Sequence, residues 1–366
     1  MSLSGAAFLL QGTRIGAQIT GTVIVILGAI FAANVGFIPH QAPAYDFVFT
    51  FIVPILIPLF LLQADLRRVI HEASRTTMAF IIASAGTVLG VLLAVSVLDL
   101  SHLATQTDIS ATDKDGAIAG LFAATYIGGS VNYAALGEMT GLTTDRSFFS
   151  AATAADNLFS AVYLSFIASL PAVSWLARWY PEHPSHQTAQ TEATPAVTAQ
   201  SLCLALAIAI TLVVISDAVA AALTGPSGRY IILTTLTLAL ATLLPQVRGF
   251  TAGGFELGIA LSFAFFASIA AGADIEAMVS KAPILGALVG ILLTVHLGVL
   301  LFVGRLCRLT LPELLTASNA AILGATTAPT MAAAKGWHDQ VTPGVLVGVI
   351  GYALGTFIGG AVFQLW

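Results

Sequence analysis

The chain has 366 residues, of which 57% are hydrophobic and only 8% charged, with a formal net charge of −5; its mean hydropathy is +0.94. A soluble domain carries about 25% charged residues, so a water-soluble fold of this size is excluded, and the few basic residues leave no footprint for nucleic acid. With the lipid bilayer as partner, outward apolar side chains cost nothing and each backbone group is satisfied inside its own helix.

The first 14 residues hold a short apolar stretch with no basic residue ahead of it, a poor signal peptide, so insertion through the first true membrane helix is expected. A bilayer core takes about 20 apolar residues per helix. Eleven segments approach that length: 15–37, 47–63, 76–98, 116–139, 149–170, 200–223, 229–246, 254–272, 282–304, 312–335 and 342–365. The expected fold is therefore an all-α polytopic membrane protein with 10 to 12 transmembrane segments. One long polar tract, 179–199, rich in Pro, Thr, Gln and His, reads as a linker. It separates a first repeat (1–178) from an extra helix (200–228) and a second repeat (229–366).

The two halves resemble each other. FLLQADLRRV around Asp65 matches SIAAGADIEAM around Asp274, and ATYIGGSVNYAALGEMTGL around Gly129 matches AAILGATTAPTMAAAKGW around Gly324. Duplicated halves are typical of secondary transporters. Basic residues mark the cytoplasmic side. Arg14, Arg67, Arg68 and Arg75 mark one side of the first half, and Arg248, Arg305 and Arg308 one side of the second, which turns the second half upside down. Five helices, one extra and five more would instead make the halves parallel. The charges and the helix count disagree.

The fourth segment is interrupted by Gly128, Gly129, Ser130 and Asn132, and its counterpart by the run from Gly324 through Thr326, Thr327, Pro329 and Thr330. Paired breaks point to discontinuous helices, whose free carbonyls and amides bind ions and polar solutes at mid-membrane; the alternative is Gly for close packing and Pro for a kink. Pro329 removes a helical hydrogen bond and Gly128-Gly129 weakens the helix. In the fifth segment Asp156-Asn157 costs about 3 kcal/mol to insert, so a cavity, partner or ion is expected there. Helical spacing puts Thr153, Asp156, Asn157 and Ser160 near one face, hard oxygen donors for a sodium ion or a carboxyl for a proton.

Other residues carry weaker signals. Glu138 ends the half-helix after the first break and either neutralises a cation or lies at the interface. Ser318 and Asn319 precede the second break and either line the same cavity or bond back to their own helix. His296 is expected to be neutral and bonded to a backbone carbonyl rather than a proton relay, and Asp217, Asp65 and Asp274 are expected in structural roles. Cys203 and Cys307 lack metal-ligand spacing and read as core thiols rather than a disulfide. No HExxH, GxSxG or Walker loop is present, so no enzyme and no cofactor beyond a sodium ion is expected.

TYIGGSVNYAALGEMTGL, AADNLFSAVY, the QADL and GADI pair and SNAAILGATTAPTMAAAKGW resemble the YjcL-type family of uncharacterised membrane proteins over nearly the whole chain. That resemblance implies membership of the broad group of monovalent cation/proton antiporters, bile-acid/sodium symporters and auxin carriers. GGSVN is similar to the GGxxSN-type break bordering the sodium sites of the bile-acid symporters, and Asp156-Asn157 stands where the antiporters carry their acidic pair. The resemblance implies Ser130, Asn132, Thr153, Asp156 and Asn157 as ion-site residues and two breaks that cross each other. It further implies a core domain (76–170 plus 282–366) moving against a panel (15–63 plus 229–272), a possible homodimer, and a bacterial inner membrane. This chain departs from both patterns, because the bile-acid type lacks Asp-Asn here and the antiporter pair reads in the other order. Three functions follow as expectations: a sodium- or proton-coupled transporter of a small organic solute, an inorganic cation/proton antiporter, or a non-transporting sensor or scaffold.

Overall fold

The computed structural model describes residues 5, 21–63, 69, 72–100, 103–182, 196–223, 228–272 and 275–366, and every regular element among them is helical. Arg14, Asp65, Arg67, Arg68, Asp274 and most of the polar linker lie outside the described residues. The helices coincide with the apolar runs. They are α1 (Gly21–Asn34), α2 (Pro43–Leu61), α3 (Ser74–Val97), α4 (Ala111–Thr140), α5 (Arg146–Ser169) and α6 (Ala199–Leu223). After them come α7 (Arg229–Leu243), α8 (Gly254–Ala271), α9 (Ile275–Leu306), α10 (Leu311–Leu323), α11 (Thr327–Ala334) and α12 (Val341–Phe363). Among the described residues seven helices, in α2, α3, α5, α6, α8, α9 and α12, are long and apolar enough to cross a membrane; α7 and the part of α1 from Ile24 are shorter apolar helices.

Helix α4 is not one straight rod. Gly129 stands at φ 71, ψ −175 in its middle, a region open essentially to glycine alone, and the chain turns back there. Ala124 and Leu136 both reach Gly359 of α12, lying 2.7 and 3.2 Å from where a Cβ would stand. A straight helix would hold them about 18 Å apart. At the feet of the two arms the Gln106 amide donates to Asp145 at 3.0 Å, and Ile109 lies beside Gly141. Entry and exit therefore share one face.

The same shape recurs at α10 and α11. Gly324, at φ 90, ψ −171, ends α10, and Asn319 reaches forward to the Thr327 carbonyl at 3.3 Å and Met331 Sδ at 3.4 Å. At its feet Glu313 pairs with Arg75 at 2.6 Å while Gln340 accepts from the adjacent Thr76 at 2.8 Å. The segments 116–139 and 312–335, expected to cross the membrane and each other, thus fold back as hairpins. Pro329 is also not the breaker. It is the third residue of α11, where an amide has no helical acceptor to lose. The chain breaks at Gly324 because that backbone conformation suits glycine alone.

Polar contacts mark two opposite faces. Arg75 donates to Glu313 and to the Arg308 carbonyl, the latter at 2.8 Å, so the basic ends of both halves lie together. On the other face Arg146 pairs with Asp46, Ser150 donates to the Ile269 carbonyl at 2.5 Å and Lys281 donates to Ser147 at 3.3 Å. The first hairpin enters from this Arg146 face, the second from the Arg75 face.

Helix α12 runs between the hairpins, and its small residues let both approach. A Cβ at Gly348 would sit 2.4 Å from the Ala325 Cα and one at Gly351 2.5 Å from the Ile127 carbonyl. Close backbone approach through small residues is the usual packing device where lipid removes the hydrophobic drive between helices. Cys203 and Cys307, expected in the core, are free and exposed on the outer surface. A thiol behaves there as a small apolar group facing lipid.

Candidate functional site

The hairpin tips converge on one aromatic ring. A Cβ at Gly129 would lie 3.6 Å from the ring of Tyr352, and one at Gly324 would lie 3.0 Å from its hydroxyl. That ring packs 5.0 Å from Phe60 of α2 and 6.5 Å from Phe255 of α8. The tips, α12 and two further helices thus meet inside the protein, where backbone groups freed by the breaks escape lipid.

Each hairpin is closed by an asparagine. Asn132 donates to the Gly128 carbonyl at 2.6 Å and accepts from Thr356 at 2.5 Å. Asn319 accepts from the Thr327 hydroxyl at 2.6 Å and donates back to the second arm. Both amides are spent on holding their hairpins. Ser130 is half-buried at the first tip; Thr326 and Thr330 are exposed beyond the second, Thr330 donating to the Thr326 carbonyl at 2.8 Å.

Asp156 is the site's carboxylate, 9% exposed at the middle of α5. Its Oδ2 accepts from Thr125 at a long 3.4 Å, and its Oδ1 has no partner. The buried Tyr126 hydroxyl has no partner at ordinary hydrogen-bond distance either, but it faces Asp156 and Ser160 and is a donor open to the carboxylate. Thr125 and Tyr126 belong to the first arm of the α4 hairpin, close before Gly128. A buried charge without a close partner costs several kcal/mol, and here the carboxylate and the tyrosine hydroxyl face each other across more than an ordinary hydrogen-bond distance. Asp156, Thr125, Tyr126 and Ser160 supply hard oxygens, the donor type that suits a monovalent cation.

The residues expected around Asp156 divide. Ser160 stays on its face. Thr153 donates to the Phe149 carbonyl at 2.7 Å beside the Tyr133 hydroxyl, and Asn157 donates to the Thr153 carbonyl at 2.8 Å. Both are engaged by their own helix. Asn132 lies with Thr356 instead of with Asp156. Glu138, at the foot of its arm, has Thr143 beside it and Arg146 and Arg229 nearby. Ser318 bonds Tyr163 and His296 rather than lining a cavity, and His296 meets a hydroxyl on each nitrogen as well as the backbone carbonyl of Ala83. Asp217 pairs with Arg229 at 2.5 Å.

Sequence reasoning missed Thr125, Tyr126, Tyr352 and Thr356. The usable signal was TY three and four residues before Gly129, and a tyrosine within a glycine-rich last helix, since a buried Tyr needs a partner for its hydroxyl. Among the described residues no group of three His, Cys, Asp or Glu is placed to hold a metal. An open groove of about 820 Å³ between α2, α6 and α7, lined by Phe51, Ile55, Ile210 and Val214 and ended by Asp217 and Arg229, lies away from the tips.

Comparison with known proteins finds a membrane-protein relative and a family. The family model described as "protein of unknown function (DUF819)" matches residues 1–365. The uncharacterized membrane protein YjcL of Bacillus subtilis (strain 168) is 34% identical over 362 residues, covering 93% of this chain and 88% of that protein. With its long apolar helices, the chain is an integral multi-pass membrane protein and belongs to the DUF819 family.

Proposed function

We propose that the chain is a secondary active transporter in which the two hairpin tips hold a small organic solute at mid-membrane and Asp156 carries the coupling ion, a proton or sodium. The observations that carry this reading are the meeting of the two hairpin tips at Tyr352 and a buried Asp156, with no close partner for its Oδ1, facing Thr125 on the first arm of the α4 hairpin. Broken helices at matched points of two halves are the usual construction of such sites.

In this reading the seven long and two shorter apolar helices are the crossings. Each half contributes one re-entrant hairpin, with α1, α2, α3 and α5 crossing in the first half and α7, α8, α9 and α12 in the second. Helix α6 then delivers the second half inverted, as the basic residues require. Arg75, Arg248, Arg305 and Arg308 put the Arg75 face in the cytoplasm. The core of 76–170 plus 282–366 moves against a panel holding α1, α2, α7 and α8. Asp46–Arg146 and Ser150–Ile269 close the outer face, while Thr326 and Thr330 are exposed on the hairpin entered from the cytoplasm. The kinship with cation/proton antiporters and bile-acid symporters is part of this proposal, although hairpins that return differ from the crossing breaks that kinship implies.

Reconstituted proteoliposomes test the proposal. Uptake of some solute from a metabolite panel should rise with an imposed sodium or proton gradient and collapse when the gradient is dissipated. Gradient-independent behaviour across the panel rejects it. A second reading, exchange of a monovalent cation for protons, is favoured by the position of Asp156, whose orphaned oxygen needs no organic solute for occupancy. Cation-dependent proton flux without any solute, lost in Asp156→Asn, selects that reading. A non-transporting sensor or scaffold predicts no flux and no ligand-dependent thermal stabilisation at all.

A further inference from the structure

His296 lies on α9, fully buried, and takes no part in the site just described. Its Nδ1 is 2.8 Å from the Thr87 hydroxyl of α3 and its Nε2 is 2.9 Å from the Ser318 hydroxyl of α10. Ser318 in turn is 2.7 Å from the Tyr163 hydroxyl of α5, whose ring stands edge-on to the imidazole at 6.1 Å. Thr87 is 3.3 Å from the carbonyl of Tyr126, on the first arm of the α4 hairpin. One imidazole therefore connects an arm of each hairpin.

Proton accounting gives this chain a direction. A neutral imidazole has one N–H and one lone pair. The Thr87 hydroxyl has two carbonyl acceptors, Ala83 at 3.2 Å and Tyr126 at 3.3 Å, which leaves its oxygen free to accept from Nδ1–H, an N–H that the Ala83 carbonyl also faces. Nε2 then accepts from Ser318, and Ser318 accepts from Tyr163. Every hydroxyl proton finds an acceptor. The reversed order leaves the Tyr163 proton without one among the described bonds, at the cost of an unsatisfied buried donor. Helices α3 and α9 approach closely here, since a Cβ at Gly86 would stand 3.0 Å from the His296 carbonyl.

We propose that His296 is a positioning residue that couples the two hairpins, so that the order of each tip depends on bonds made by the other. The bonded path runs from Ser318 on the second hairpin through the imidazole and Thr87 to the Tyr126 carbonyl on the first. A histidine that merely satisfies its own helix would touch one hairpin or neither.

The test is hydrogen exchange followed by mass spectrometry on the full chain in lipid nanodiscs, read at peptides covering 127–131 and 323–327. Thr87→Val and Ser318→Ala keep shape while each cuts one side of the hub. Each is expected to speed exchange at both tips by about threefold to tenfold, the worth of one buried hydrogen bond. His296→Leu should exceed both, and His296→Gln, which keeps a donor and an acceptor, should recover most of the protection. If Thr87→Val loosens only the first tip and Ser318→Ala only the second, the hairpins are independent and the coupling is refuted. Unchanged exchange at both tips refutes it equally. The readout does not depend on any transported solute, so it stands or falls apart from the transport proposal.

Discussion

Gly129 and Gly324 occupy nearly the same point of backbone space, φ 71, ψ −175 and φ 90, ψ −171, and face the same Tyr352 ring from hairpins that enter from opposite sides. Neither φ is comfortable for a residue with a Cβ, and a strained residue there costs about 1–3 kcal/mol. Gly129→Ala and Gly324→Ala should each lower thermal stability in detergent by an amount of that order. Gly290, with nothing near its Cβ position, is the control: Gly290→Ala should leave the transition unchanged or raise it. Equal behaviour of all three variants would show that the tips do not need glycine.

Asp156 predicts a separation of stability from ion response. Its Oδ1 is buried with no close partner and its Oδ2 has only the long bond from Thr125, so Asp156→Asn removes a poorly paired buried carboxyl at nearly constant shape. Thermal stability should stay level or rise by about 1 kcal/mol. The stabilisation of the parent protein by sodium or by a change of pH should disappear in the variant, because a ligand stabilises only a fold that binds it. A variant that still responds places the coupling ion elsewhere.

The membrane helices were legible because hydropathy reports them directly, and among the described residues every expected segment coincides with helix. The hairpins were not, since a window of apolar residues has the same composition whether the chain crosses or descends and returns. Two signals nonetheless pointed to them. Gly128-Gly129-Ser130 and Gly324 interrupt their segments near the centre, and the arginines asked for an arrangement that eleven crossings could not give. The site was legible only along the helix axis. Spacing found Asp156 and Ser160, but Thr125 and Tyr126 reach them from another helix, and nothing in one sequence sets that register. The same limit let Thr153, Asn157 and Asn132 stand as ion ligands, because a hydroxyl or amide bonded to its own helix looks the same in sequence as a free one.

Glu313 and Arg75 form an unequal pair at the base of the second hairpin. The Arg75 side chain is 51% exposed and that of Glu313 7%, and Glu313 also accepts from the Thr310 amide at 2.7 Å, completing the cap that starts α10. Arg75→Ala should therefore cost about 1 kcal/mol or less, the range of a half-exposed ion pair. Glu313→Ala should cost about 2 kcal/mol, since the helix cap is lost as well. Comparing the two thermal transitions checks this. A larger loss in the arginine variant would mean that its bond to the Arg308 carbonyl dominates.

Asp46 and Arg146 tie α2 to α5 on the face opposite Arg75, and Ser150, one turn deeper on α5, is 2% exposed against α8. If that pair helps to hold the face shut, Ser150→Cys is a reporter of its opening. The exposed Cys203 and Cys307 are first replaced by serine, which their surface position tolerates. In this background Ser150→Cys should react slowly with a membrane-impermeant maleimide, and adding Asp46→Ala should raise the rate about twofold to fivefold. The modest factor follows from exposure: pairs this open to solvent contribute about 0–1 kcal/mol, and high salt should narrow the difference between the two proteins by screening the intact pair. A rate that ignores both the substitution and the salt would assign the closure of this face to apolar packing around Phe49, Phe149 and Ile269, and the bond from Ser150 to the Ile269 carbonyl would then be its only polar contribution among the described contacts between α5 and α8.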